Sequence, residues 1–163
     1  MADLPRANIE EIEKRVIGNG ADFSAVVGRF TEVLGMRQLG CSVVELAPGE
    51  KGWPFHLHWG EEELFVVLEG QGSMRYGDDS HEIGAGDVLF TPPGEGTAHQ
   101  IINTSGAPLK YLALSTHSDP AVCYYPDSDK YASSTRRPDG NWDTFIAPAS
   151  SEVDYYHGEG ESS

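Results

Sequence analysis

The stretch Gly52–Gly70, GWPFHLHWGEEELFVVLEG, places two histidines and an acidic run directly before a short apolar segment. His56 and His58 are separated by one residue, so an extended backbone points both imidazoles to the same side. Glu63 opens the apolar run Leu64–Leu68, which places its carboxylate at the entrance of a strand. Imidazole nitrogens combined with a carboxylate oxygen suit a divalent transition metal. The stretch therefore indicates a β-framework that carries a metal site.

Short apolar runs separated by turn residues extend this pattern through the middle of the chain. The runs are Cys41–Leu46, Leu64–Leu68, Ser73–Tyr76, Asp87–Thr91, Ala98–Asn103 and Leu109–Ser115. Strands this short, with turns this regular, are typical of an antiparallel sandwich or barrel. Leu64–Leu68 is apolar on both faces, so we expect both to be covered. Barrel closure covers one face, and a second sheet or a subunit partner covers the other.

Gly52–Gly70 resembles the first motif of the cupin superfamily. That motif has a His-x-His pair, a Glu a few residues later and a Gly seven residues after that Glu, an interval that Glu63 and Gly70 match. The resemblance therefore favours Glu63 as the acidic ligand over Glu61 and Glu62.

Gly86–Asn103, GDVLFTPPGEGTAHQIIN, resembles the second cupin motif. The interval from Gly to Pro and the interval from His99 to Asn103 both match. Glu95 and Gly96 make the turn before His99 longer than in the usual motif. Because His99 and Asn103 keep their spacing, we expect the longer turn to deliver His99 to the same strand position.

The resemblance implies an all-β fold, the cupin double-stranded β-helix or jelly-roll barrel, around one divalent transition metal (Fe, Mn, Ni, Co or Zn). The implied metal ligands are His56, His58, Glu63 and His99. Three imidazoles and one carboxylate leave open positions on an octahedral metal, where water or a small hydroxy-carbonyl or carboxylate compound binds.

The turn before His99 and the later segment Tyr125–Ser128 also resemble a subgroup of small bacterial single-domain cupins, some of which carry the label of sugar phosphate isomerase. This resemblance favours a metal-dependent enzyme that acts on a small polar metabolite, with sugar-phosphate isomerisation as the leading form. A non-haem iron dioxygenase and a non-catalytic small-molecule-binding cupin are the alternatives, because the same ligand set serves all three. The sequence assigns no catalytic acid or base.

The charge balance restricts the partners. The chain has 163 residues and a net charge of −15, from 26 acidic and 11 basic residues. Nucleic acids and anionic membranes select for basic surfaces, so we expect neither as a partner. The same charge gives no long-range attraction for a phosphate. Arg37, Arg75 and Lys110 lie on or beside strands and are candidates for binding an anionic substrate, with an ordinary surface position as the alternative.

The chain divides into three segments. Residues 1–29 are predicted to form an N-terminal arm with one short helix, because Asn8 and Glu11 fit a capping box. Residues 30–118 are predicted to form the barrel. Residues 119–163 are predicted to form a C-terminal extension whose aromatic residues anchor it on the barrel and whose last residues are disordered.

The remaining features concern compartment and assembly. Residues 1–20 lack the pattern of a secretory signal, and Cys41 and Cys123 form no paired framework, so we expect a cytoplasmic protein with reduced thiols. The apolar outer face of Leu64–Leu68 leads us to expect a homodimer.

Overall fold

The computed structural model describes residues 3–160 and is nearly all-β, which confirms the predicted fold class. The strands are β1 Lys14–Gly18, β2 Ser24–Arg29, β3 Leu39–Leu46, β4 Leu57–His58, β5 Glu63–Glu69, β6 Gln71–Tyr76, β7 Asp79–Gly84, β8 Val88–Thr91, β9 His99–Ile102, β10 Leu109–Thr116, β11 Ala121–Tyr125, β12 Lys130–Arg136 and β13 Trp142–Pro148. One short helix, α1, spans Phe30–Leu34, and within residues 3–160 no helix has the length and apolar character needed to cross a bilayer.

Three antiparallel sheets build the barrel and its extension. A six-stranded sheet has the order β1-β2-β3-β10-β5-β8, and a three-stranded sheet has the order β7-β6-β9. The apolar core is formed mainly by these two sheets. It contains Ala25, Val27, Val44, Leu46, Phe65, Val67, Met74, Ile83, Ile101, Leu109 and Tyr111. A third sheet, β13-β12-β11-β4, contains the C-terminal extension.

Strand β5 shows how its alternating side chains divide between the two faces of the six-stranded sheet. Phe65 and Val67 point into the core and are 6% and 1% exposed. On the outer face, Leu64 and Val66 lie beside Phe90 and Val88 of the edge strand β8, which are 53% and 63% exposed. The closed barrel therefore covers the inner face of β5, as predicted. The outer apolar face of β5 is only partly covered by the residues that the structure describes.

The helix predicted in the N-terminal segment is wrong. Asn8 accepts backbone hydrogen bonds from Glu11 and Ile12, but this makes a single turn, and β1 begins at Lys14. The β-branched residues of β1 instead pair with β2, and β2 pairs with β3. Pairing with strands distant in sequence thus overrides the local capping signal. Residues 14–29 supply two strands of the six-stranded sheet.

The C-terminal extension forms a sheet of its own, attached to the barrel through β4. β11 pairs with β4 on one side and with β12 on the other. The predicted aromatic anchoring is wrong for the distal part, because Phe145, Tyr155 and Tyr156 are 70%, 87% and 72% exposed. Tyr124 and Tyr125 are half-buried. Of the chain end predicted to be disordered, residues 161–163 lie outside the described residues.

Asn103, at the end of the second motif, is a fully buried polar side chain. Its Nδ2 donates hydrogen bonds to the carbonyl oxygens of Leu46 at 2.9 Å and Ala107 at 2.8 Å. Its Oδ1 accepts from the backbone N–H and the hydroxyl of Ser105. Asn103 therefore ties β3 to the loop between β9 and β10.

We predict that Asn103→Ala lowers the free energy of unfolding by about 2–3 kcal/mol, because the buried carbonyl of Leu46 loses its partner. Asn141→Ala is the matched control, since Asn141 is exposed and its side chain bonds only to Asp139. Urea denaturation of both variants measures the difference. Equal stability of the two variants would contradict the structural role of Asn103.

Candidate metal centre

The two sequence motifs meet through the backbones of His56 and His99. The amide of His56 donates to the carbonyl oxygen of His99 at 3.2 Å, and the amide of His99 donates to the carbonyl oxygen of His56 at 2.8 Å. This isolated antiparallel bridge brings the two imidazoles side by side, with ring centroids 4.8 Å apart. His58 lies two residues further on, and its ring centroid is 5.1 Å from that of His56.

The lengthened turn before His99 folds back onto the first motif. The amide of Gly94 donates to the carbonyl oxygen of His58 at 2.8 Å, and the Thr97 hydroxyl donates to the carbonyl oxygen of Gly94 at 2.6 Å. Gly94 and Gly96 adopt positive φ values of 110° and 80°, which favour glycine. The two additional residues are thus absorbed in the turn, and His99 still starts β9 beside His56.

The Nδ1 atom of each of the three histidines lies within hydrogen-bond distance of an acceptor oxygen. The contacts join His56 Nδ1 to the Pro54 carbonyl at 2.8 Å, His99 Nδ1 to the Thr97 carbonyl at 3.1 Å and His58 Nδ1 to Glu61 Oε2 at 2.7 Å. Because a carbonyl oxygen only accepts, the hydrogen of His56 and of His99 resides on Nδ1. The Nε2 lone pair of each is left free, as in metal-binding histidines.

Glu63 lies among the Nε2 atoms. Its Oε2 is 2.8 Å from His99 Nε2 and 3.4 Å from His58 Nε2. Ligand atoms of His56, His58 and Glu63 all lie within 4.8 Å of one another. Within residues 3–160, Glu63 Oε2 and His99 Nε2 are buried without a hydrogen bond of good geometry. Buried polar atoms without partners are unfavourable, so these donor atoms fit a bound cation.

The structure thus brings together the four side chains predicted as ligands. The structure also places Glu61 in contact with His58, although the sequence favoured Glu63 over Glu61 as the acidic ligand. Glu61 is buried; its Oε2 bonds to His58, and its Oε1 accepts the backbone amide of Ser118 at 3.0 Å. Its position behind His58 is that of a carboxylate that orients a metal-binding imidazole. The neighbouring Glu62 is exposed.

The ionisable side chains of the site differ in the direction in which their pKa values are shifted. Burial, with the neighbouring His99 as a further cause, lowers the pKa of His56 to about 4. Burial also acts to lower the pKa of His58, but contacts with Cys123, Glu61 and Glu63 outweigh it and raise the pKa to about 10. Burial acts to raise the pKa of Glu63, but the adjacent imidazoles hold it below its usual value. At neutral pH the centre therefore offers an anionic carboxylate and a neutral His56, and a metal at His58 would displace a proton.

A cavity of about 360 Å³ opens over these side chains. It is lined by barrel residues and also by Cys123 and Tyr125 of β11. Cys123 Sγ lies 3.3 Å from His58 Nδ1, and the ring of Tyr125 stacks on His56 with centroids 5.9 Å apart. Burial raises the pKa of Tyr125, so its phenol is protonated at neutral pH. The sequence predicted neither residue at the site, because Cys123 was noted only as a reduced thiol and Tyr125 only as the start of the Tyr125–Ser128 segment.

Comparison with known proteins agrees with this geometry. Residues 42–115 match the family described as the cupin domain. This segment is therefore similar to a cupin domain, and the chain has the cupin fold, the double-stranded β-helix predicted from the two motifs. The matched range includes β4 and β9, which carry His58 and His99.

Three known proteins are similar to this chain. A structure from Acidithiobacillus ferrooxidans, provisionally described as a sugar phosphate isomerase, is 25% identical, covers 90% of this chain and 91% of its own, and has a TM-score of 0.76. A sugar phosphate isomerase structure from Silicibacter pomeroyi has the same fold, with 24% identity, coverage of 90% and 94%, and a TM-score of 0.77. The oxalate-binding protein of Thermotoga maritima is 38% identical over 71 residues, which are 44% of this chain and 56% of that protein. The chain spans about half the length of the curated relatives it matches.

We predict that Glu61→Gln weakens metal affinity about 10- to 100-fold, because His58 loses the carboxylate that orients its imidazole. Glu62→Gln removes a charge one residue away on an exposed side chain and should leave the affinity unchanged. Competition with a chromogenic chelator measures both variants. If the two affinities are the same, Glu61 does not support the metal centre.

Proposed function

We propose that this protein is a metal-dependent enzyme acting on a small polar metabolite, and that its reaction is an isomerisation of the sugar-phosphate type. The observation that carries the proposal is the shared construction of the cavity. Barrel residues supply the donor atoms, whereas Cys123 and Tyr125 of the C-terminal extension close the cavity beside them. A barrel without the extension would lack this wall.

The similarity to the Acidithiobacillus protein supports this proposal. That likeness covers 90% of this chain and therefore includes part of the extension as well as the barrel. The likeness to the oxalate-binding protein covers only 44% of the chain. A function that depends on the extension is therefore better supported by the first protein than by the second.

His56, His58, Glu63 and His99 would hold the metal. A metal bound there would supply Lewis acidity toward a substrate carbonyl and so acidify the hydrogen on the adjacent carbon. The chain's own contribution is to fix the donor atoms: the Nδ1 contacts of His56, His58 and His99 set the orientation of each imidazole.

The cavity wall determines how the substrate lies. Tyr125 is protonated at neutral pH and donates a hydrogen bond to a substrate oxygen beside His56. Gln100 is buried, and its side-chain amide donates to the Trp53 carbonyl at 2.6 Å, which holds the Trp53 segment at the cavity. The substrate is thus oriented by fixed groups on the barrel and on β11.

A non-catalytic binding protein is the second candidate, and the oxalate-binding relative favours it. The non-haem iron dioxygenase expected as an alternative has no separate observation in its favour. The homodimer also remains a proposal. It is supported by the outer apolar face beside β8, where Val88 and Phe90 are exposed.

The test is to load the protein separately with Mn²⁺, Ni²⁺, Co²⁺, Zn²⁺ or Fe²⁺ and incubate it with aldose and ketose phosphates in D₂O. We expect deuterium at the carbon next to the carbonyl together with conversion between the two sugars, followed by proton NMR. His58→Ala should lose both the metal and the exchange. His81→Ala should keep both, because His81 is exposed on β7.

Ligand binding without exchange would instead support the binding protein. Oxygen consumption by the iron form alone would support the dioxygenase. Either outcome would contradict isomerisation.

A further inference from the structure

We infer that Arg29, Arg136 and His117 form an anion-binding subsite in a second cavity next to the metal centre, so that the substrate carries an anionic group away from its metal-binding end. This inference rests on the proposed function, since it names the substrate class for the same site. The second cavity has a volume of about 280 Å³.

The two cavities adjoin each other. Both are lined by Arg29, Trp53, Glu63, Ala113 and Ser115. Glu63 therefore faces the histidines on one side and borders the second cavity on the other. A small metabolite with oxygen donors at one end and an anion at the other can occupy both cavities at once.

The two arginines are free to bind an anion. Within residues 3–160, Lys14, Arg15, Arg75, Lys110 and Arg137 all have a carboxylate partner. In the same range, Arg29 and Arg136 have none. Arg6, Arg37, Lys51 and Lys130 also lack one, but among the described residues only Arg29 and Arg136 of these six line the second cavity, both with exposed side chains. Arginine is well suited to phosphate and carboxylate groups because its guanidinium donates two parallel hydrogen bonds.

The C-terminal extension holds Arg136 in place. Its guanidinium lies over the ring of Trp142, 5.1 Å from the centroid, and Trp142 is its neighbour on β13. The backbone amide of Arg136 donates to Asp119 Oδ1 at 3.2 Å. These contacts position the guanidinium without neutralising it. The extension thus supplies a residue to the second cavity as well as to the first.

His117 offers a polar atom without a partner. Its Nε2 is buried and, among the described residues, makes no hydrogen bond. Gly40 packs closely here, because a Cβ at this position would lie 2.5 Å from Ser115 Oγ and 3.6 Å from His117 Nε2. His117 lines the second cavity together with the two arginines.

Three acidic groups lie at or beside the second cavity, and one of them is Glu63, which also faces the histidines of the metal centre. Asp119 borders an adjoining pocket, and its Oδ1 also accepts the Thr135 hydroxyl at 2.8 Å. Glu32 lines the second cavity but is exposed to solvent. Arg37 lies with Arg136 and His117 on the adjoining pocket and adds a further positive charge.

The test measures binding of inorganic phosphate to the full-length protein after chelator treatment, by calorimetry, so that no metal competes for the anion. We expect Arg29→Ala and Arg136→Ala each to weaken phosphate binding about tenfold or more, as for loss of a charged hydrogen-bond donor. Arg137→Ala is the matched control. It removes the same charge one residue away, but Arg137 pairs with Asp143 outside the cavity. The control should stay within about twofold of the unchanged protein.

Metal content after reloading separates this inference from the proposed function. If the protein loads metal but binds no phosphate, or if Arg136→Ala and Arg137→Ala weaken phosphate equally, the subsite is wrong and the metal-dependent function stands. If the arginines bind phosphate but no metal loads, the subsite stands and the proposed function fails. Melting temperatures of the variants exclude an effect through folding.

Competition against phosphate identifies the anionic end. Displacement by a pentose 5-phosphate indicates a phosphate group on the substrate, and displacement by a hexuronate indicates a carboxylate. Both outcomes support the subsite. Equal displacement by the uncharged pentose would overturn it.

Discussion

The pair of backbone hydrogen bonds between His56 and His99 is the contact on which the site depends. Side chains at these positions come from segments distant in sequence, and neither segment alone assembles a metal site. The bridge sets the distance between the imidazoles, and the Nδ1 contacts then set their rotation. Glu63, at the start of β5, lies opposite and completes the donor set. The barrel core supports this arrangement by fixing β5 and β9 in different sheets.

The C-terminal extension converts this centre into an enclosed site. The pairing of β11 with the two residues of β4 places Cys123 directly opposite His58 in register. The following hairpin of β12 and β13 then brings Arg136 and Trp142 to the next cavity. The barrel therefore supplies the candidate metal ligands, whereas the extension supplies further groups that line the cavity. This is why similarity across the whole chain carries more weight than similarity over the barrel alone.

Local patterns were sufficient to predict the barrel strands and to indicate His56, His58 and Glu63 as candidate ligands, whereas His99 lies in the distant second motif. The alternation in Leu64–Leu68 and the spacing of His56, His58 and Glu63 depend on residues near each other in sequence. The missed features depend on distant pairing. β1 replaces the predicted helix because β2 and β3 are available to it, and Arg136 reaches the site through β11 and β12.

The basic side chains considered for anion binding also depend on contacts between residues distant in sequence. Arg75 was a candidate for binding an anionic substrate, but it bonds to Asp127 at 2.7 Å and lies over the ring of Phe55. Lys110 is bound to Glu10 at 2.6 Å.

The most direct test of the metal centre is anomalous diffraction from crystals of the metal-loaded protein. We expect one peak about 2.0–2.2 Å from His56 Nε2, His58 Nε2, His99 Nε2 and a carboxylate oxygen of Glu63. A peak held by other side chains, or no peak in this cavity, would contradict it.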